Sequence, residues 1–122
     1  MESKINLTMA LSHISEHFSP QIIGEVDDVY IKLVKILGDR VPWHNHKNGD
    51  ELFLILEGSL VMEVENKVPF QMNKGDLYIV AKGTDHKIWS HDECHVMLIE
   101  NKTTLHTGQT PSEITKSIEE QK

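Results

Sequence analysis

Three residues set the chemistry of this chain: His44, His46 and, five positions on, Glu51. On a strand the side-chain period is two, so His44 and His46 are predicted to share a face. Two adjacent imidazoles with a carboxylate close behind suit a divalent metal. The strand beginning at Glu51 strengthens the reading. Glu51, Phe53 and Ile55 alternate with Leu52, Leu54 and Leu56, so both faces are apolar beyond the carboxylate. A carboxylate on the inner face of such a strand is costly unless it is paired, hydrogen-bonded or metal-bound. His86 is the best candidate for a fourth ligand, because the turn Lys82-Gly83-Thr84-Asp85 delivers it to the start of a strand.

The elements that must position these groups are mostly β. Val29 to Leu37 is a strand rich in Val, Ile, Leu and Tyr. Glu51–Leu56 and Leu60–Glu65, joined through Glu57-Gly58-Ser59, read as a hairpin. Further short strands are predicted at 68–72, 77–81, 87–90 and 94–100, with turns at Asn66-Lys67, Asn73 to Asp76, Lys82 to Asp85 and His91-Asp92-Glu93. Short strands at regular spacing indicate an all-β sandwich or barrel and not βαβ units.

Before the strands, Leu7, Ala10, Leu11, Ile14 and Phe18 recur at helical spacing, capped by Asn6 or Thr8 and stopped at Ser19-Pro20. After Asn101 the chain turns polar, with a short helix possible from Ser112 to Glu120, bearing Ile114 and Ile118 on one face. The division is 1–20 helix, 21–101 barrel and 102–122 polar tail.

Those residues resemble the cupin family. Its first motif, Gly, five residues, His, one residue, His, three or four residues, Glu, six residues, Gly, is met by Gly38, His44, His46, Glu51 and Gly58. Its second, Gly, five residues, Pro, one residue, Gly, two residues, His, three residues, Asn, is met by Gly75, Gly83 and His86, with Ala81 in place of Pro and Ser90 in place of Asn. The resemblance covers about Val29 to Glu100. It implies a small jelly-roll β-barrel, a double-stranded β-helix, with one divalent metal held by His44, His46, Glu51 and His86. The donor set suits Fe, Mn, Zn, Ni, Co or Cu and does not choose among them.

Other residues have plainer readings. His13 and His17, four apart, are helix-surface histidines, and His91, His95 and His106 stand outside the ligand set. Cys94 is a small buried residue. Trp43 and Trp89 alternate away from the ligands, while Phe53, Ile55, Met62 and Ile88 are candidate pocket walls. Arg40 is even-spaced from His44 and could face the cavity, and Asp50 and Glu57 lie near turns in solvent.

The bulk numbers narrow the partners. At 122 residues one core suffices. Twelve basic against nineteen acidic residues, a net charge of −7, argue against nucleic acid and anionic membranes. The single Arg weakens the case for heavily anionic substrates. One Cys forms no internal disulfide, and no apolar run reaches membrane-span length or marks a secretory leader, so a cytoplasmic location is expected. The near-continuous apolar strands need cover on an outer face, so a homodimer is expected. Two functional classes remain open. One is a metal-dependent enzyme, of dioxygenase or sugar-isomerase type, acting on a small polar molecule. The other is a non-catalytic small-ligand binder with a structural metal.

Overall fold

Two facing sheets share one long strand, and that strand determines where the site sits. The structure, a computed structural model, describes residues 3–103 and 115–122. Its strands are β1 (Gln21–Val26), β2 (Val29–Gly38), β3 (Glu51–Glu57), β4 (Ser59–Val64), β5 (Phe70–Asn73), β6 (Leu77–Val80) and β7 (His86–Asn101). One sheet runs β1-β2-β7-β3-β6; β4 pairs with β5 and with β7 in the other. The Cys94–Asn101 half of β7 lies between β2 and β3, and its His86–Trp89 half pairs with β4. The two sheets close a jelly-roll barrel.

The predicted strands at 87–90 and 94–100 are therefore one element, bent at His91, Asp92 and Glu93. These three are exposed, while His86, Ile88 and Ser90 before them and Cys94, Val96, Leu98 and Glu100 after them face inward. The inward phase survives the bend because the side-chain period of two is kept across it.

The expected hairpin between β3 and β4 does not form. Each strand pairs with a different half of β7, and the turn between them crosses from one sheet to the other. Gly58 makes the crossing, with φ at +78°. A Cβ there would lie 2.6 Å from the Glu93 carbonyl oxygen, so only glycine lets the turn pass this close to the bend of β7.

The core lies between the sheets, where Val34, Ile36, Phe53, Ile55, Leu60, Met62, Cys94 and Val96 pack together. Each large apolar side chain buried this way stabilises the fold by about 1.5–3 kcal/mol. Cys94 belongs to this packing, and burial pushes its thiol up to about 12, far from thiolate reactivity.

The N-terminal helix, α1, runs only over Leu7–Ser12, with Asn6 as cap and His13 closing it. Ile14 and Phe18, which fit its periodicity, lie beyond it yet are buried. Phe18 takes φ at +56°, so the chain turns there and does not continue a helix. At the other end α2 spans Ile118–Gln121, with Ser117 and Glu120 forming a reciprocal capping box. The predicted cap Ser112 and its neighbour Ile114, like His106, fall outside the described residues. Among the described residues no helix is long and apolar enough to cross a membrane.

Candidate metal centre

His44 and His46 lie on the segment between β2 and β3, Glu51 opens β3 and His86 opens β7. Backbone bonds hold the two stretches together. His44 and His86 form an antiparallel bridge in which the His44 N–H donates to the His86 carbonyl at 3.1 Å and the His86 N–H returns the bond at 2.9 Å. The Gly83 N–H donates to the His46 carbonyl at 2.8 Å. Asn45 Nδ2 donates to Asp85 Oδ1 at 2.7 Å, and the Lys82 N–H to Asp50 Oδ1 at 2.9 Å. Apart from the His44 bridge the first histidine segment is not a strand, yet both imidazoles are buried as strand alternation predicts.

One ligand-capable atom from each of His44, His46, Glu51 and His86 lies within 4.8 Å of the other three, and all four residues are buried. His44 Nδ1 is 2.8 Å from the Pro42 carbonyl and His86 Nδ1 is 3.0 Å from the Thr84 carbonyl. A carbonyl only accepts, so each Nδ1 carries a proton and each Nε2 is the nitrogen turned toward the cluster. Glu51 Oε1 lies 3.2 Å from His46 Nε2 and 3.3 Å from His86 Nε2. The His46 contact lacks hydrogen-bond alignment, so both His46 nitrogens are buried without a hydrogen-bond partner. Two orphaned nitrogens at the centre of such a cluster are costly, and a cation answers that cost. Three imidazoles and one carboxylate therefore fit a first-row divalent metal.

The electrostatics of His44 and Glu51 agree with ligation. Burial, reinforced by His86, lowers the His44 pKa to about 4, so its imidazole is neutral at ordinary pH. Burial alone would raise Glu51, but His46 and His86 beside it hold the carboxyl well below the usual range. Burial opposes protonation of His86 too, and Glu51 outweighs it, raising that imidazole.

The cluster opens onto a cavity of about 40 Å³ in which Phe18, Pro20, Val34, Ile36, Val41, Phe53, Ile88 and Leu98 join His44, Glu51 and His86. Phe53 and Ile88 are walls, as expected. Ile55 and Met62 are buried in the core and do not line the cavity. Val34, Ile36 and Leu98 share the inward phase of β2 and β7, a signal that register could have supplied. Phe18 and Pro20 carry no such signal, because the segment after α1 brings them in from outside the barrel.

That segment is pinned at several points. The Phe18 N–H donates to the Lys35 carbonyl at 2.8 Å, and Lys35 Nζ donates to the Ile14 carbonyl at 2.9 Å. His17 Nε2 lies 2.7 Å from Glu93 Oε2, and His95 Nε2 lies 2.8 Å from Glu93 Oε1. These imidazoles, His17 foremost, draw the Glu93 carboxyl down to about 2. Arg40 does not face the cavity. It is exposed, its guanidinium lies 5.6 Å from the centroid of the Phe18 ring, and it is not among the residues lining the cavity. Trp43 is exposed, and Trp89 donates its indole N–H to Glu63 at 3.0 Å, so both indoles lie off the site.

Residues 36–100, more than half of the chain, match the Cupin domain family, Cupin_2. The chain belongs to the cupin family. A cupin-2 domain protein of Shewanella frigidimarina is 35% identical, with a TM-score of 0.75, over 80% of this chain and 93% of that one. Protein NMB1881 of Neisseria meningitidis is 30% identical, with a TM-score of 0.74, over 81% and 99%. Uncharacterized protein YdbB of Bacillus subtilis is 29% identical over 84% of this chain and 89% of its own length. The two departures from the cupin motifs have visible consequences. The turn at Ala81 closes without proline, through the Thr84 N–H to the Ala81 carbonyl at 3.2 Å and Gly83 at φ +76°. Ser90 is buried, and its hydroxyl has no hydrogen-bond partner.

Sequence reasoning missed Lys32 and Glu100. Among the described residues they are the two buried charged side chains outside the four-residue cluster. Lys32 reads as one of two polar breaks in an apolar strand, and only the register of β2 against β7 shows that it points inward.

Proposed function

We propose that His44, His46, Glu51 and His86 hold one divalent transition metal and that the protein is a metal-dependent enzyme acting on a small molecule in the adjoining cavity. The observation that carries this reading is the contact between the buried four-ligand cluster and a cavity whose remaining walls are apolar. A bound metal supplies Lewis-acid or redox chemistry at such a site. The walls favour a substrate that meets the cluster through one polar group and the barrel through an apolar body. Among the described residues the cavity lining has no Lys or Arg, which weakens the sugar-phosphate isomerase reading.

The test is elemental analysis of protein purified without added metal, beside the His44→Ala/His46→Ala variant. One equivalent of a transition metal in the wild type and none in the variant is the expected result. Equal metal content in both overturns the ligand assignment. Activity that persists after chelation overturns the metal-dependent reaction.

The reading extends to a homodimer in the cytoplasm. On the outer face of the larger sheet, register aligns Ile31, Ile99, Leu52 and Ile79 in one row and Leu33, Met97, Leu54 and Leu77 in the next. Leu77 and Ile79 are more than half exposed in the single chain. Leu33 is already fully buried within the chain, and the remaining residues of the two rows form the apolar face that a second copy would cover. The cytoplasmic assignment is supported by the lone free thiol of Cys94.

A further inference from the structure

Beside the cluster a second set of polar groups is buried, and the metal reading leaves it unexplained. Glu51 on β3 is the cross-strand partner of Glu100 on β7, and both carboxyls are buried side by side on the inner face of the sheet. Lys32, reaching inward from β2, places Nζ 2.5 Å from Glu100 Oε1 and 2.5 Å from Gln121 Oε1. Gln121 belongs to α2 and donates Nε2 to the Lys116 carbonyl at 2.9 Å. The result is a continuous chain, Glu51, Glu100, Lys32, Gln121, with exposures of 4%, 3%, 1% and 0%.

Stability alone does not account for it. A buried ion pair loses most of its attraction to desolvation, and apolar residues of similar volume commonly hold a fold equally well. Two carboxyls side by side are also mutually repulsive unless a positive group holds them. Lys32 is that group, and it sits on the side of Glu100 remote from the imidazoles. The imidazoles of His46 and His86 approach Glu51 Oε1. Glu100 lies directly across the strands from the same carboxylate and is itself held by Lys32, so the Glu51 side chain is confined between the two sets. Ligating carboxylates need this kind of outer support to keep their orientation.

We propose that Glu100 and Lys32 are positioning residues for the metal ligand Glu51, and that Gln121 of α2 completes their support and ties the C-terminal segment to the metal centre. This rests on the metal reading of the cluster. Lys32 and Gln121 both lie outside the matched family region of residues 36–100, and Gln121 joins the set from α2.

The test replaces the pair with apolar residues, Lys32→Met/Glu100→Leu, which keeps the barrel end filled while removing the polar groups behind Glu51 and leaving its two imidazole neighbours in place. Glu100→Gln and Gln121→Ala serve as milder variants should the double replacement fail to fold. Affinity for Co(II) and Zn(II) is measured on metal-free protein by competition with a chromophoric chelator, the Co(II) absorption spectrum is recorded, and thermal unfolding of the metal-free protein is followed in parallel. The expected result for the pair replacement and for Glu100→Gln is a fall in affinity of about 10- to 100-fold with an altered Co(II) spectrum, whatever the unfolding midpoint does. Gln121→Ala is expected to give the same change in weaker form. Variants that bind as tightly as wild type with an unchanged spectrum make the chain a purely structural ion pair and overturn the proposal. A wild type that binds neither ion overturns the metal reading, and this proposal with it.

Discussion

His44 and His86 exchange backbone hydrogen bonds of 3.1 and 2.9 Å, so the two motifs that supply the ligands meet as a bridge of main chain before any metal is considered. The site is preorganised by that bridge and by the neighbouring bond from Asn45 to Asp85. Both imidazoles are aimed by their own Nδ1 bonds to Pro42 and Thr84. A metal arriving here meets fixed donors and has little chain left to order.

Asn45→Ala tests that preorganisation. It removes the side-chain tie between the ligand stretches and leaves all four ligands in place. Stability is expected to fall by about 1 kcal/mol and metal affinity by about tenfold. Urea unfolding and chelator competition measure the two, and unchanged affinity would mean that the backbone bridge alone sets the geometry.

Gly58 and Gly75 make a controlled pair for the fold. Both have positive φ, +78° and +91°. An alanine Cβ at Gly58 meets the Glu93 carbonyl oxygen at 2.6 Å, whereas nothing lies within 4 Å of one at Gly75. Gly75→Ala is expected to cost only the backbone term, about 1 kcal/mol. Gly58→Ala is expected to cost at least about 2 kcal/mol more, because two backbones must move apart. Equal midpoints in urea would show that the β3–β4 crossing does not pass close to the bend.

The metal-free protein should lose stability in acid through His44. Its pKa is about 4 in the fold, lowered by burial and then by His86, against about 6.5 when unfolded. The unfolded state therefore binds more protons between these values. The His44 contribution is complete above pH 6.5 and is lost as pH falls towards 4. His86 is shifted upward and acts oppositely, its contribution being complete below pH 6.5 and lost as pH rises through its raised pKa. Subtracting the melting profile of His44→Gln from that of wild type isolates the first effect. Parallel profiles between pH 6.5 and 4 would contradict a buried neutral His44.

The outer face of the larger sheet gives the assembly prediction. Leu54→Glu and Ile79→Glu together place charge in both apolar rows without touching the cavity. Light scattering should show a dimer for wild type and a monomer near 14.0 kDa for the variant. A wild-type monomer removes the dimer, and a dimer surviving in the variant moves the interface elsewhere.

Local pattern was enough to make the strands and the ligand set legible. His44, His46 and Glu51 stand at short, regular spacing, which strand geometry turns into a shared face, and the apolar runs between turn residues mark β2, β3 and β7 as strands. The Gly58 turn looked like a hairpin because local turn chemistry does not record which strand lies across the sheet. That choice belongs to β7, whose two halves pair with β3 and β4 separately.

What the chain alone determined was the donor chemistry of the centre and the β character of its scaffold, since both depend on residue type and close spacing. Tertiary structure alone decided that Phe18 lines the cavity, that Arg40 lies outside it, and that Lys32, Glu100 and Gln121 converge behind Glu51. Those contacts join residues far apart in sequence, and their free energy comes from burial and pairing that exist only once the sheets have closed.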